Sequence, residues 1–168
     1  NEALYLRRET PPATPQPQRH VLLDNGILLW GRARIFATAV ALALLKPRTP
    51  GEVVTLHGHR AEDFETMNLA STSDLRVWWS RLDASPNCGV ALHATLTQLL
   101  ADKAEAQPEI VLVTHADAAS VLAPSLSRRV WPPGLRFFII TVNSHGRCVL
   151  QQRTQAGARE LATVKLEL

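Results

Sequence analysis

The side chains of this 168-residue chain that could do chemistry are Asp24, the pair His57 and His59, Cys88, His115 and Asp117. Asp24 closes the run Val21-Leu-Leu-Asp24, and Asn25-Gly26 and a long apolar segment, Leu28 to Leu45, follow it. A buried strand that stops on a carboxylate, turns on glycine and feeds a helix is where an open α/β sheet places its ligand. Asp24 there either holds a metal or accepts the unpaired N–H groups of the following turn or helix. Asp24 with His115 or Asp117 could also act as acid and base in a hydrolase-like site, but no nucleophile elbow (Gly-x-Ser-x-Gly) accompanies them. Cys88 could be a thiol with His93 or His115 as its base; a small half-buried cysteine in a turn is the favoured reading. His57-Gly58-His59 lacks a third ligand nearby and reads as an exposed, unliganded loop pair. GxGxxG and GxxxxGK[ST] are both absent, which argues against a nucleotide site.

These residues need elements to hold them. Residues 1–17 form a proline-rich linker, because Thr10 to Pro17 carries prolines that exclude helix and central strand. A single domain over 18–168 follows. Gln18 to Asp24 predicts a strand, and Leu29 to Lys46 a helix with apolar residues around most of its circumference, Trp30 packing it against the sheet. Glu52 to His57 is a second strand, and Glu65 to Ala70 a candidate edge strand in an otherwise polar stretch. Asp74 caps a helix through Leu82. In that helix Trp78 and Trp79 point about 100° apart, so one can be core while the other is exposed as a contact anchor. A turn over Ser85 to Gly89 leads into a helix from Val90 to Ala104. Ile110 to Thr114 has the unbroken apolar character of a central parallel strand. A short helix (Ala116 to Leu126) and strands at Leu135 to Val142 and Gly146 to Gln152 complete the pattern, and Ala158 to Leu168 is a helix or a closing strand. Such alternation selects a three-layer α/β/α sandwich with a mostly parallel central sheet and an antiparallel edge strand.

Composition bounds the function. With 46% hydrophobic residues, 20% charged and a net charge of +3, the chain is basic but lacks the clustered stripe of a dedicated nucleic-acid binder. Arg32, Arg34, Arg128 and Arg129 are what a nucleic-acid reading would rest on. Cys88 and Cys148 are far apart, with no zinc spacing. No run approaches a membrane span, since Arg32 and Arg34 interrupt the most hydrophobic segment. The N-terminus has no signal-type apolar region and begins at Asn, so the expectation is a reduced, cytoplasmic domain cut from a longer protein.

The order of elements from Gln18 to Gln152 resembles the von Willebrand factor A (vWA) domain family. In that family an Asp-x-Ser-x-Ser motif ends the first strand, a threonine lies in a later turn, and an Asp-Gly pair ends the fourth strand; together they hold a divalent metal. Short oxygen side chains suit Mg²⁺, which wants hard octahedral ligands. Here Asp24 matches the first ligand, Gly26 and Leu28 stand where the serines belong, Cys88 or Gly89 falls at the threonine position, and His115 replaces the acid with Asp117 two residues on. The resemblance thus implies an eroded metal site, with Asp24 and Asp117 the remaining candidates for Mg²⁺ and no cofactor expected. It also implies a partner-binding face of Asp24, Asn25, Gly26, Cys88, Gly89, His115 and Asp117. Leu22 to Gly31 (LLDNGILLWG) further resembles the vWA-like components of bacterial systems that pair such a domain with a MoxR-type AAA+ ATPase and a β-propeller protein. The expected function is therefore a non-catalytic protein-interaction module of a larger bacterial protein.

Overall fold

The computed structural model describes residues 16–101 and 108–167. The proline-rich segment, apart from Gln16 and Pro17, lies outside these residues, as do the expected end of the third helix and Leu168. The described elements are β1 (Gln18–Leu23), a 3₁₀ turn (Ile27–Leu29), α1 (Arg32–Leu44), β2 (Val53–Arg60), β3 (Asp63–Thr66), α2 (Thr72–Ser80), α3 (Gly89–Ala101), β4 (Glu109–His115), α4 (Ala116–Ser127), β5 (Arg136–Val142), β6 (Arg147–Thr154) and β7 (Gly157–Lys165). They build one seven-stranded sheet in the order β3-β2-β1-β4-β5-β6-β7. The four central strands β2, β1, β4 and β5 are parallel, while β3 at one edge and β6 and β7 at the other run antiparallel. The fold is thus the α/β sandwich that the alternation predicted, with the tail resolved as strand rather than helix.

Strand alternation divides the interior in two. Val21 and Leu23 of β1 join Phe36 and Ala37 of α1 and Trp78 of α2 in one apolar cluster. Leu22 points the other way, into a cluster with Leu92 and Leu96 of α3 and Leu122 and Leu126 of α4. This two-residue period is what gives each sheet face an apolar surface for a helical layer.

Several local expectations are corrected. The first helix does not start at Leu29: a 3₁₀ turn ends at Trp30, and Gly31, at φ +70°, breaks the chain direction before α1 begins. Trp30 is consequently 71% exposed and does not pack the helix onto the sheet. The edge strand sits earlier than predicted, because β2 runs on to Arg60 and β3 folds straight back on it. Ser71, not Asp74, is the N-cap of α2; the Ser71 hydroxyl accepts from the Asp74 N–H, and the Asp74 carboxyl accepts from the Ser71 N–H. This reciprocal arrangement satisfies two otherwise orphaned donors. His57 and His59 are not loop residues but buried members of β2.

Two buried arginines hold helix C-termini to the sheet. Arg19, 1% exposed, donates to the Leu44 carbonyl at the end of α1 (2.8 Å) and pairs with Glu52 and Glu109. Arg34, in α1, donates to the carbonyls of Trp78 (2.6 Å), Trp79 (3.2 Å) and Arg81 (2.6 Å) and to the Asn25 side chain. The guanidinium therefore answers the negative end of the α2 dipole and the carbonyls of its last turn together. Burial pushes its pKa below the ordinary arginine range.

Truncating Arg34 takes a charged donor from all three carbonyls at once, leaving the Trp78 carbonyl only the Arg81 N–H and the Arg81 carbonyl only the Asn25 amide. Arg34→Ala is expected to cost about 3 kcal/mol in urea unfolding. Arg34→Lys should recover less than half of that, because one ammonium cannot span carbonyls that the planar fork reaches together.

Candidate functional site

Asp24 lies where the sequence placed it, at the carboxyl end of β1, and its backbone N–H is bonded to the Val113 carbonyl of the neighbouring strand (2.9 Å). Its side chain is 2% exposed. One carboxyl oxygen accepts from the Gly26 N–H (2.9 Å) and faces the His59 ring nitrogen Nδ1 at 3.2 Å. The other accepts from the Thr114 hydroxyl (2.5 Å). Three strands, β1, β2 and β4, thus converge on one carboxyl group.

His59 is the residue that sequence reasoning missed as Asp24's partner. Its other ring nitrogen lies 3.0 Å from the Ala61 carbonyl, so both nitrogens face acceptors, an arrangement that suits the doubly protonated ring. Burial opposes that charge, but the contacts to Asp24 and Ala61, with the nearby Asp83, outweigh it and raise the pKa above the ordinary 6.5. Asp83 in turn accepts from the N–H groups of Ala61 (2.8 Å) and Ser85 (2.8 Å), locking the β2–β3 turn to the loop before α3. The spacing of His57 and His59 puts them on one face of a strand, but only the parallel pairing of β2 with β1 brings His59 to Asp24.

The remaining site residues divide between interior and surface. Asn25 is 3% exposed and tied to Arg34 and the Arg81 carbonyl, and Gly26 is buried. Cys88 is 1% exposed, its thiol pushed well above the ordinary range by burial and then by the charge of Asp24. Gly89 begins α3 and is half-buried. His115 caps α4, its Nδ1 accepting from the Asp117 N–H (3.2 Å), and Asp117 is exposed. Asp24, Asn25, Gly26 and Cys88 therefore form the floor beneath this end of the sheet, and a partner arriving there meets other side chains. The hydrolase-like pairing is not assembled either: Asp24 bonds His59 and Thr114, while His115 turns to Asp117.

The residues do not fit a Mg²⁺ ion. Both oxygens of Asp24 are occupied by protein donors, and positions 26 and 28 bring no hydroxyl. Among the described residues no group of three or more His, Cys, Asp or Glu side chains is arranged to hold a metal. Space is the deeper reason: a Cβ added at Gly26 would lie 2.8 Å from the Ser85 carbonyl oxygen. That carbonyl is fixed there by the Ile27 N–H (3.0 Å), so the loop has closed over the position a serine would need.

The arginines of the nucleic-acid reading do not share a surface. Arg34 is buried, Arg32 lies over the Phe36 ring of α1, and Arg128 and Arg129 follow α4 on the opposite sheet face. Beside the Asp24 loop lie a polar cleft, where Arg60, Ser80, Arg81 and Asp83 surround Asn25 and His59, and an apolar, aromatic one. Trp30, Ile35 and Trp79 (71%, 41% and 45% exposed) line a cleft of about 270 Å³ with Gly31 and Arg34. Trp79 is oriented by its indole N–H, which donates to the Thr38 hydroxyl (3.3 Å).

Fold and site define an α/β sandwich whose strand-end carboxyl is sealed inside the protein. Protein-family models, curated proteins and solved structures were compared with the chain, and none matches it. No helix among the described residues is long and apolar enough to cross a membrane.

A second histidine contact gives the fold a pH signature. His20 Nδ1 lies 3.1 Å from His57 Nε2, and burial, followed by the charge His20 would carry, lowers the His57 pKa to about 4. The unfolded chain, with an ordinary His57, binds more protons between pH 4 and 6.5, so stability from this group is complete above pH 6.5 and declines as pH falls toward 4. His59 has the opposite sign, its contribution being lost as pH rises through its raised pKa. The His57 part amounts to about 3 kcal/mol. Urea melts at both ends of this acid window should show a clear loss in the wild type and a much smaller one in His57→Gln; an equal loss in both would assign the acid sensitivity elsewhere.

Proposed function

We propose that this chain is a non-catalytic, vWA-like protein-interaction module of a larger cytoplasmic bacterial protein, working with a MoxR-type AAA+ ATPase and a β-propeller protein. The observation that carries the reading is the pairing of a sealed carboxyl with an exposed aromatic cleft beside it. An enzyme of this architecture needs a reachable group at the strand ends, whereas Asp24 is spent on internal donors. The exposed Trp30 and Trp79 have the character of interface anchors: large apolar faces, with Arg34 at the base of the cleft. The strand order supports the vWA resemblance, as does Asp24 at the end of β1. In this reading the loop that lost its metal keeps its place, and the aromatic flank replaces metal-bridged contact with apolar contact.

Two experiments test it. Calorimetric titration with the MoxR-type ATPase and propeller protein of the same organism should give binding that Trp30→Ala/Trp79→Ala weakens about tenfold or more. An unchanged affinity for that variant, with its melting temperature intact, would refute the aromatic face. For the lost metal, the variant Gly26→Ser/Leu28→Ser restores the missing hydroxyls. It should melt below the wild type because of the Ser85 carbonyl, and millimolar Mg²⁺ should raise the melting temperature of neither protein. A native-state ligand must raise it, so a rise in the wild type would contradict the eroded-site reading.

A further inference from the structure

We infer that the groove between α3 and α4 is a second docking site, taking an amphipathic helical segment of a partner protein that carries acidic residues in its last turn. The groove lies on the sheet face opposite the one that α1 and α2 cover, so it is separate from the tryptophan cleft. Its volume is about 630 Å³, within the range of ligand-binding clefts. Leu92 and Leu96 of α3 and Leu122 and Leu126 of α4 form its floor. Val90 and Val121 stand on its walls, 67% and 63% exposed, an unfavourable position for β-branched apolar side chains that an apolar partner would relieve.

Charge selects the occupant. Among the described residues the groove lining contains no carboxylate, and its far end is closed by cations: Arg128, exposed after α4, and Arg129, whose guanidinium crosses from α4 to α3. Arg129 donates to Nδ1 of His93 (3.0 Å) and to the Thr97 hydroxyl (3.4 Å), and its guanidinium carbon lies over the Trp131 ring, 5.8 Å from the centroid. These contacts hold the guanidinium in place. Among the described residues neither arginine has an acidic partner. A helix laid along the leucine floor would present an apolar stripe at i, i+3, i+4 and i+7, and acidic residues near its own C-terminus would meet the two guanidinium groups.

The test uses the full chain and two synthetic peptides, both with leucines at helical spacing, one with glutamates and the other with lysines in the last turn. Amide chemical shifts followed by NMR should move saturably along α3 and α4 with the glutamate peptide and weakly or not at all with the lysine peptide. Arg128→Glu/Arg129→Glu should weaken the glutamate peptide about tenfold or more and reverse the preference. Val121→Lys, which blocks the wall without touching the arginines, should weaken both, and Trp30→Ala/Trp79→Ala should change neither. Equal affinity for the two peptides, absence of a saturable shift with either, or glutamate-peptide binding unaltered by charge reversal would overturn the proposal. So would tighter binding of a short single-stranded oligonucleotide that ignores Val121→Lys, which would mark a nucleic-acid site instead.

Discussion

A single buried carboxyl group organises one end of this protein. Asp24 holds its own turn through Gly26, reaches across β4 to Thr114 and across β2 to His59, and lies against the thiol of Cys88 at the start of α3. These contacts are mutually dependent because burial makes each donor necessary. A carboxyl that is 2% exposed has no water to replace a lost partner, and an imidazolium beside it has none to replace the carboxyl. The strand ends, the β2–β3 turn and the loop from α2 to α3 are therefore set relative to one another by a compact polar network rather than by packing alone.

At the other end of the sheet a different polar cluster does comparable work. Arg19 joins the end of α1 to Glu52 and Glu109, and Arg48 and Arg136 close on Glu109 from outside, at 2.7 and 3.1 Å. Between the two ends the central strands β4 and β5 are apolar on both faces, from Ile110 to Val113 and from Phe137 to Ile140. Neither cluster is decorative, since removing one member of a buried charged set leaves the others desolvated and unpaired. Arg34 extends the same logic laterally, binding α2 to α1 through three carbonyls at the end of α2 that one guanidinium reaches together.

Much of this frame was legible in the sequence, and for definite reasons. The unbroken apolar run at Ile110 to Thr114 could only be a central strand, and the alternation of strand and helix required helices on both sheet faces. The position of Asp24 followed from the glycine turn behind it. What was not legible is what depends on pairing between distant segments. Nothing local marks His59 as the partner of Asp24, because the contact exists only once β2 is laid parallel to β1. The same holds for Arg34, which reads locally as an interruption of an apolar helix and becomes a buried cap only when α2 ends beside it. Trp30 was misplaced by one backbone detail, the positive φ of Gly31, which turns the indole out to solvent. The Ser71 cap was missed because Asp74, three residues on, is as good a cap by residue type; the reciprocal bonds decide between them.

The closure of the Asp24 loop has a consequence for where recognition can occur. In an open α/β sheet the strand ends are the natural ligand site because main-chain direction and loop freedom converge there. In this chain the Ser85 carbonyl sits over Gly26 and the carboxyl faces inward, so that region has become structural. Exposed large apolar side chains cluster on the helical flanks, Trp30, Ile35 and Trp79 about α1 and α2 and Val90 and Val121 about α3 and α4, while others such as Leu161 and Val164 stand on the edge strand β7. The rigidity of the sealed end is what makes these flanks usable. Both helical layers are anchored to one polar network, so a partner seated on either flank meets side chains already held in place and loses less conformational entropy on binding.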